Sequence, residues 1–269
     1  MTEGAVGSIN AVMTMDDGAF AGRLLAWYAA TGRDLPWRQT RDPYAILVSE
    51  VMLQQTQVSR VVERYVAWID RWPSAEALAE AKLADVIAAW SGLGYNRRAV
   101  RLHEAAQQVA RDGWPRTYEG LQTLSGVGPY TAAAVACLAF GAERLPVDVN
   151  VHRVLRRALE RDEVTAPDGR AADLTQALFD LGATVCIARR PRCDACPLAA
   201  GCPSRGLTYA PARKQGRFEG SRRQQRGELL RQVAAGAVEL ADTDPEIAES
   251  LARDGLVSIS SGRITLPRA

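Results

Sequence analysis

Apolar residues recur along this chain with the 3.6-residue period of helices, and the first two hundred residues hold no convincing strand-like alternation. Phe20, Leu24, Leu25, Trp27 and Tyr28 share one face of a helix over 20–30. The period breaks between Gly32 and Arg38, and Asp42-Pro43 opens the next helix with an acidic cap and a proline in the first turn. That helix is unusual: from Tyr44 to Leu53 it is apolar on nearly every face and carries one charge, Glu50. Further helices are predicted over 58–69, 75–80, 83–90, 97–109, 117–124, 130–140, 151–159 and 173–181, punctuated by Gly92-Leu93-Gly94-Tyr95 and Gly113-Trp114-Pro115. An all-α core is therefore expected.

Two breaks in this pattern carry chemistry. At Gly126-Val127-Gly128 two glycines flank a valine between helices, and Pro129 begins the second helix where its missing N–H costs nothing. Amides at such a turn point outward together and can hold a phosphate, although a plain corner between helices has the same pattern. Some twenty residues later Asp148 stands at the mouth of another helix, as a functional carboxylate, a helix cap, or both. Glu50 has two readings as well. Desolvation within an apolar helix raises a carboxyl's pKa and would make it a proton donor, whereas an arginine partner would make it structural. The run that follows it, Gln54-Gln55-Thr56-Gln57, offers neutral amides to base edges or is a solvated face.

Composition changes the picture only in places. A chain of 269 residues allows roughly two domains. Its 47% hydrophobic and 24% charged content is that of a globular protein, and a net charge of +2 leaves any polyanion-binding face to local clustering. No apolar run nears the ~18 residues of a membrane span, and the N-terminus lacks an export-signal pattern. The expectation is a cytoplasmic protein with a loose tail over 1–16. Lys82 and Lys214 are the only lysines, so nearly all basic residues are arginine.

Cys186, Cys193, Cys196 and Cys202 fall in one window spaced C-x6-C-x2-C-x5-C, while Cys137 lies in an apolar helix and reads as packing. Clustered thiols in an intracellular protein suggest a metal rather than disulfides, and four thiolates suit either zinc or a 4Fe–4S cluster. The loop between the first two holds Arg189, Arg190 and Arg192, and a pinned basic loop suits phosphate contacts.

Taken together, these stretches resemble the helix-hairpin-helix DNA glycosylases, most closely the adenine DNA glycosylase family. The resemblance rests on Leu35-Pro36-Trp37, on Ser49-Glu50-Val51-Met52-Leu53-Gln54-Gln55-Thr56-Gln57, on Gly92-Leu93-Gly94-Tyr95, on Gly126-Val127-Gly128, on Asp148, Asn150, Val151 and Arg153, and on the four-cysteine spacing. The run around Glu50 is the most specific; the hairpin and cysteines are shared with the endonuclease III relatives. The resemblance implies a two-lobed fold with a 4Fe–4S cluster on the four cysteines. It implies a monomer acting on double-stranded DNA with a mismatched or oxidised base pair, and flipping adenine into a pocket between the lobes. By family position Glu50 would protonate adenine at N7. Asp148 would stabilise the sugar cation, with Asn150 and Tyr130 positioning the groups around it. Arg33, Trp37, Leu53 and Gln176 would line the pocket, and Gln55 and Tyr95 would wedge beside the opposite base, which in this family is 8-oxoguanine. The endonuclease III relatives carry their Schiff-base lysine in the hairpin's second helix, where this chain has Tyr130. A monofunctional glycosylase without lyase activity is expected. The chain departs from many relatives at Asn96, where they have a second tyrosine.

The implied organisation is a cluster lobe over 17–37 and 146–205, a six-helix lobe over 38–145 and a basic linker over 206–226. A small module over 227–269 follows, with helices predicted over 227–238 and 244–253 and a hairpin around a Ser-Gly turn, in the manner of a winged helix. Even with part of the linker included, the roughly 55 residues that remain are too few for the Nudix-like domain that many adenine glycosylases carry there. Two other readings stay open: a thymine or uracil mismatch glycosylase, and a non-catalytic iron–sulfur DNA-binding regulator.

Overall fold

The computed structural model describes residues 15–210 and 216–267. In chain order the helices are α1 (Asp17–Thr31), α2 (Pro43–Leu53), α3 (Val58–Arg71), α4 (Ala75–Ala79), α5 (Leu83–Ala89), α6 (Arg97–Asp112), α7 (Tyr118–Leu121), α8 (Pro129–Phe140), α9 (Val149–Leu159) and α10 (Ala171–Asp180). Then come α11 (Arg222–Ala235), β1 (Val238–Glu239), α12 (Pro245–Arg253), β2 (Ser258–Ser260) and β3 (Arg263–Thr265). The chain divides into two compact units, Met1–Arg33 with Leu145–Lys214, and Asp34–Arg144 with Gln215–Ala269.

In the first unit α1 starts at Asp16, whose carboxylate accepts the Ala19 N–H at 2.7 Å and so satisfies one of the helix's orphan amides. Its apolar face, Phe20 and Leu24, packs with Val154 and Leu155 of α9 and with Leu174 and Leu178 of α10. Of the stretch read as a tail, residues 1–14 lie outside the described residues; Met15 is buried in this core. Beyond α10 the backbone continues as a π-turn over Leu181–Val185, which the periodicity does not predict.

The second unit is built around α2. Every residue from Tyr44 to Met52 is buried, which is what a helix apolar on all sides requires. It packs against α3, α6 and α8, and Trp68 of α3 donates its indole N–H to the Tyr44 hydroxyl at 3.1 Å. Trp68 in turn stands edge-on to Trp72 and Trp90, with ring centroids 4.7 and 5.4 Å away.

The C-terminal module belongs to this second unit, because Ile87 of α5 sits in one core with Leu229, Leu230, Ile247, Leu251 and Ile264. Its sheet has the order β1-β3-β2, antiparallel throughout, with Ile264 facing both Val238 and Ile259. Ser261 and Gly262 join β2 to β3 with φ of 48° and 76°, the two positive values of a type I′ turn. Three details differ from the periodicity. The module's first helix begins at Arg222 rather than at 227, so the last part of the stretch read as a linker is helical, capped by Ser221. Residues 238–239 form a third strand. The first hairpin helix is one short turn, Tyr118–Leu121, because Gln122 to Gly128 already closes the corner. Arg213 and Lys214 lie outside the described residues.

Candidate active site and DNA-binding elements

Glu50 lies on α2 and is 6% exposed, in a helix whose residues from Tyr44 to Met52 are all buried. Leu53 ends the same helix, half-buried against the unit's core. Trp37, expected at the pocket, is 6% exposed within that core and edge-on to Tyr65, centroids 5.3 Å apart. After Leu53 the chain turns through Gln55, exposed, with φ of 55°; Tyr95, 46% exposed, has φ of 48°. Left-handed backbone costs a residue with a side chain on the order of 1–2 kcal/mol, so both turns are imposed by their surroundings.

Arg98 supplies much of that surrounding. Its guanidinium donates to the carbonyls of Val51, Met52 and Gln54 at the end of α2, and to those of Leu93 and Gly94 in the glycine turn, at up to 3.3 Å. The last carbonyls of a helix have no partner within it, and a cation there is favoured by the helix dipole. Burial pushes the guanidinium pKa down to about 10, which leaves it charged at neutral pH. One side chain thus ties the Gln55 turn to the Tyr95 turn. Nothing in the sequence distinguishes Arg98 from the chain's other arginines except its place three residues after Tyr95.

The hairpin turn follows the glycine logic closely. Gly126 has φ of 75°, and a Cβ there would meet the Arg101 side chain at 2.8 Å. Val127 is buried and its amide closes the turn onto the Leu124 carbonyl at 3.1 Å. Gly128 caps α8 with Pro129 in its first turn, and Gly126 and Gly128 are exposed. Tyr130 is half-buried on the first turn of α8, and Thr131 beside it accepts from Gln54 Nε2 at 3.5 Å.

In the first unit Asp148 caps α9. One carboxylate oxygen accepts the backbone N–H groups of Asn150 and Val151 at 2.9 and 2.7 Å; the other accepts Asn150 Nδ2 at 2.7 Å. Cap and functional carboxylate are therefore compatible readings of one residue, with its negative charge set at a helix N-terminus. Gly182 of the π-turn fixes this arrangement from behind: a Cβ there would meet Asn150 Cβ at 3.0 Å and its carbonyl oxygen at 3.3 Å. Val147 and Val149, 40% and 79% exposed, flank the carboxylate with apolar surface. Arg33 is held by Asp180, which accepts its backbone N–H at 2.9 Å and its Nε at 2.7 Å while only 1% exposed. Gln176 is half-buried on α10.

The four cysteines Cys186, Cys193, Cys196 and Cys202 line one small cavity with Arg157 and Arg192. None is disulfide-bonded. Among the described residues no three such side chains converge tightly enough to grip one ion. Four thiols lining one cavity fit a cluster, in which each sulfur binds a different iron. Burial pushes the Cys196 thiol up to about 11 and raises Cys202, with neighbouring sulfurs adding to both. Cluster assembly takes thiolates and must expel those protons, so falling pH opposes it and rising pH favours it. Two buried arginine contacts brace the loop that follows Cys186: Arg157 donates to the Ile187 and Ala188 carbonyls at 2.9 and 2.6 Å, and Arg153 to those of Gly182 and Cys186 at 2.8 and 2.9 Å. Arg157 also lies 3.6 Å from the Tyr209 ring centroid. Arg189, Arg190 and Arg192 are left exposed.

Cys196→Ser should release that loop. The expected result is a DNA affinity lower by about tenfold or more, since exposed arginines must be held in place to neutralise phosphates, with the helical circular dichroism of the second unit retained. Unchanged affinity in the cluster-free variant would show that the loop does not depend on the cluster.

Among the described residues no helix is long and apolar enough to cross a membrane. Residues 48–178 match the HhH-GPD superfamily of base excision DNA repair proteins, and residues 186–202 match the iron–sulfur binding domain of endonuclease III. The chain is 48% identical to the adenine DNA glycosylase of Mycolicibacterium smegmatis over 77% of its own length and 78% of that protein. It is 43% identical to the adenine DNA glycosylase of Mycobacterium tuberculosis, over 91% of this chain and 92% of that one. Among solved structures, a thermostable thymine-DNA glycosylase superposes with a TM-score of 0.64 at 30% identity, over 70% of this chain and 95% of that one. With a buried glutamate, a glycine-built hairpin, a helix-capping aspartate and a four-thiol iron–sulfur site all on it, the chain belongs to the adenine DNA glycosylase family, DNA-binding hydrolases of the N-glycosyl bond that work in base excision repair.

Proposed function

We propose that the protein removes adenine mispaired with 8-oxoguanine or guanine, and that it leaves an abasic site without cutting the strand. The observation that carries the reading is Glu50, a carboxyl buried in a helix that is apolar on nearly every face. Burial disfavours the charged form of an acid, and a protonated carboxyl is what purine excision needs. Glu50 donates its proton to adenine N7; the C1′–N9 bond then breaks with its electrons passing into the ring. The Asp148 carboxylate, fixed by its three donors, stabilises the sugar cation until water adds at C1′ and gives up a proton. One acid protonated and one ionised is the division of labour expected where two environments differ. Tyr130 and Asn150 orient the sugar, the water and Asp148, and Arg33, Leu53 and Gln176 contact the flipped base. Gln55 and Tyr95 enter the stack beside the opposite base, and the hairpin amides hold a phosphate.

Lyase chemistry would need an amine nucleophile. Tyr130 occupies the hairpin position at issue; of the two lysines, Lys82 precedes α5 and Lys214 lies outside the described residues. The cluster, held by the four cysteines, would supply structure to the basic loop, and no step above passes through it.

Single-turnover base release from four duplexes tests the reading: adenine opposite 8-oxoguanine, adenine opposite guanine, thymine opposite guanine and uracil opposite guanine. Adenine release fastest opposite 8-oxoguanine, with strand breaks appearing only after alkali, is the expected result. The likeness to a thymine-DNA glycosylase defines the contrary outcome: release of thymine or uracil alone would move the protein to the mismatch class.

A further inference from the structure

A cleft of about 770 Å³ in the second unit takes in Gln55 and Tyr95 and extends well beyond the groups that the reaction described above uses. One wall is α11 of the C-terminal module with Phe218 before it. The other runs from Ser91 through the start of α6 to Arg101, with Gln55 and Arg60 beside it. Its lining holds seven arginines against one carboxylate, Asp254. Asp254 is already engaged by Arg226 at 2.5 Å and Arg97 at 3.7 Å, and Arg98 is committed to backbone carbonyls. Arg60, Arg101, Arg223 and Arg231 are exposed around it, Arg231 pairing with Glu228 at 2.5 Å on the solvent side and Arg223 donating to the Gly216 carbonyl at 2.8 Å.

Two aromatic rings complete the cleft: Tyr95 is 46% exposed and Phe218 59% exposed. A groove of cations with exposed aromatic side chains is the combination that binds a nucleic-acid strand, the cations following phosphates and the rings stacking on bases. A mononucleotide would engage only part of so long an array. The cleft and the hairpin share one side chain, because the Arg101 that lines the cleft is the one whose stem abuts Gly126.

We propose that this cleft holds the sugar-phosphate backbone of the DNA strand that carries the base opposite the target adenine. On this view α11 is a second backbone clamp, and Arg223 and Arg231 of the C-terminal module face Arg60 and Arg101 of the glycosylase core across that strand. The inference rests on the proposed insertion of Gln55 and Tyr95 beside the opposite base. It gives the small module a role in affinity for damaged duplex. The charge balance of the cleft, rather than any base-edge contact, is its basis, so the clamp is indifferent to sequence.

The experiment compares the intact cluster-bearing protein with its Arg223→Ala/Arg231→Ala and Arg60→Ala variants. The probe is a duplex holding cleavage-resistant 2′-fluoro-2′-deoxyadenosine opposite 8-oxoguanine, with the dissociation constant measured as a function of salt. Each lost phosphate contact lowers the salt slope by about 0.9, so the double variant should lose about 1.8 and bind more weakly at low salt. Neutral methylphosphonates placed one at a time along each strand then locate the contacts. The wild type should lose affinity at positions on the 8-oxoguanine strand where the double variant loses none. Equal salt slopes for wild type and double variant would overturn the clamp, and so would a shared phosphate footprint on the adenine strand. These binding measurements stand whether or not the wild type releases adenine, so failure of the proposed reaction and failure of the clamp are told apart.

Discussion

Glu50→Gln should lower single-turnover adenine release by roughly 10²- to 10⁴-fold, the usual worth of a positioned general acid, while leaving duplex affinity unchanged. The two side chains have nearly the same shape, so α2 keeps its packing, and Glu50 is buried to 6% exposure within a helix whose other residues from Tyr44 to Met52 are buried too. What the amide lacks is the proton. Without it the leaving adenine must depart as an anion, and the barrier rises by the several kcal/mol that the fold-change represents. Measuring rate and dissociation constant separately decides the matter: a glutamine variant that releases adenine at the wild-type rate would remove Glu50 from the chemistry. Weakened binding with an unchanged rate would instead make it a structural residue.

Asp148→Asn should cost about 10²- to 10³-fold in the same assay, the range found when a charge-stabilising group is removed from a developing ion. Asparagine is as good a helix cap as aspartate, and it can still accept the Asn150 and Val151 amides that Asp148 accepts at 2.9 and 2.7 Å. Its second polar atom becomes an NH₂ group facing Asn150 Nδ2, where the carboxylate now accepts at 2.7 Å, so charge and one hydrogen bond are lost together. Asp148→Ala removes the cap as well and should lower stability by about 1 kcal/mol. Comparing the two by thermal unfolding and by rate separates the capping role from the chemical one. An asparagine variant as active as wild type would leave Asp148 with the cap alone.

The candidate chemistry was legible because several features, each with an ordinary reading of its own, occur together in one chain. A single charge in an otherwise apolar helix, glycines on both sides of a buried valine, an acid before a helix and four thiols in seventeen residues each restrict the physics locally. Two helix starts were legible for the same reason: Asp42 and Asp148 each accept amides of the helix they precede. The caps Asp16 and Ser74 were not singled out, and α1 starts three residues before the periodicity does. The roles of the residues that hold these groups in place were not legible, even where, as at Arg153, the residue belongs to a motif. Arg98, Arg153 and Arg157 act by donating to carbonyls brought in from other segments, up to 47 residues away in the chain, and an arginine's partners carry no trace in the residues beside it. Gly182 belongs to the same class, since its lack of a side chain matters only through Asn150.

By itself, then, the sequence determined the all-helical core, the four clustered thiols and the hairpin at the end of the module, because periodicity, caps, turns and ligand spacing act over a few residues; the glycosylase chemistry came from the resemblance of its motifs to a known family. Tertiary structure alone decided that Trp37 packs edge-on to Tyr65, that Arg33 is bound to Asp180, and that Gln55 and Tyr95 are pinned in left-handed backbone by one guanidinium. It also decided that α11 docks on α5 and turns a stretch of arginines, which reads in sequence as a basic linker able to follow phosphates, into one wall of a cleft. Those outcomes depend on which distant surfaces meet. Burial and charge neutralisation are properties of the meeting, and no local pattern encodes them.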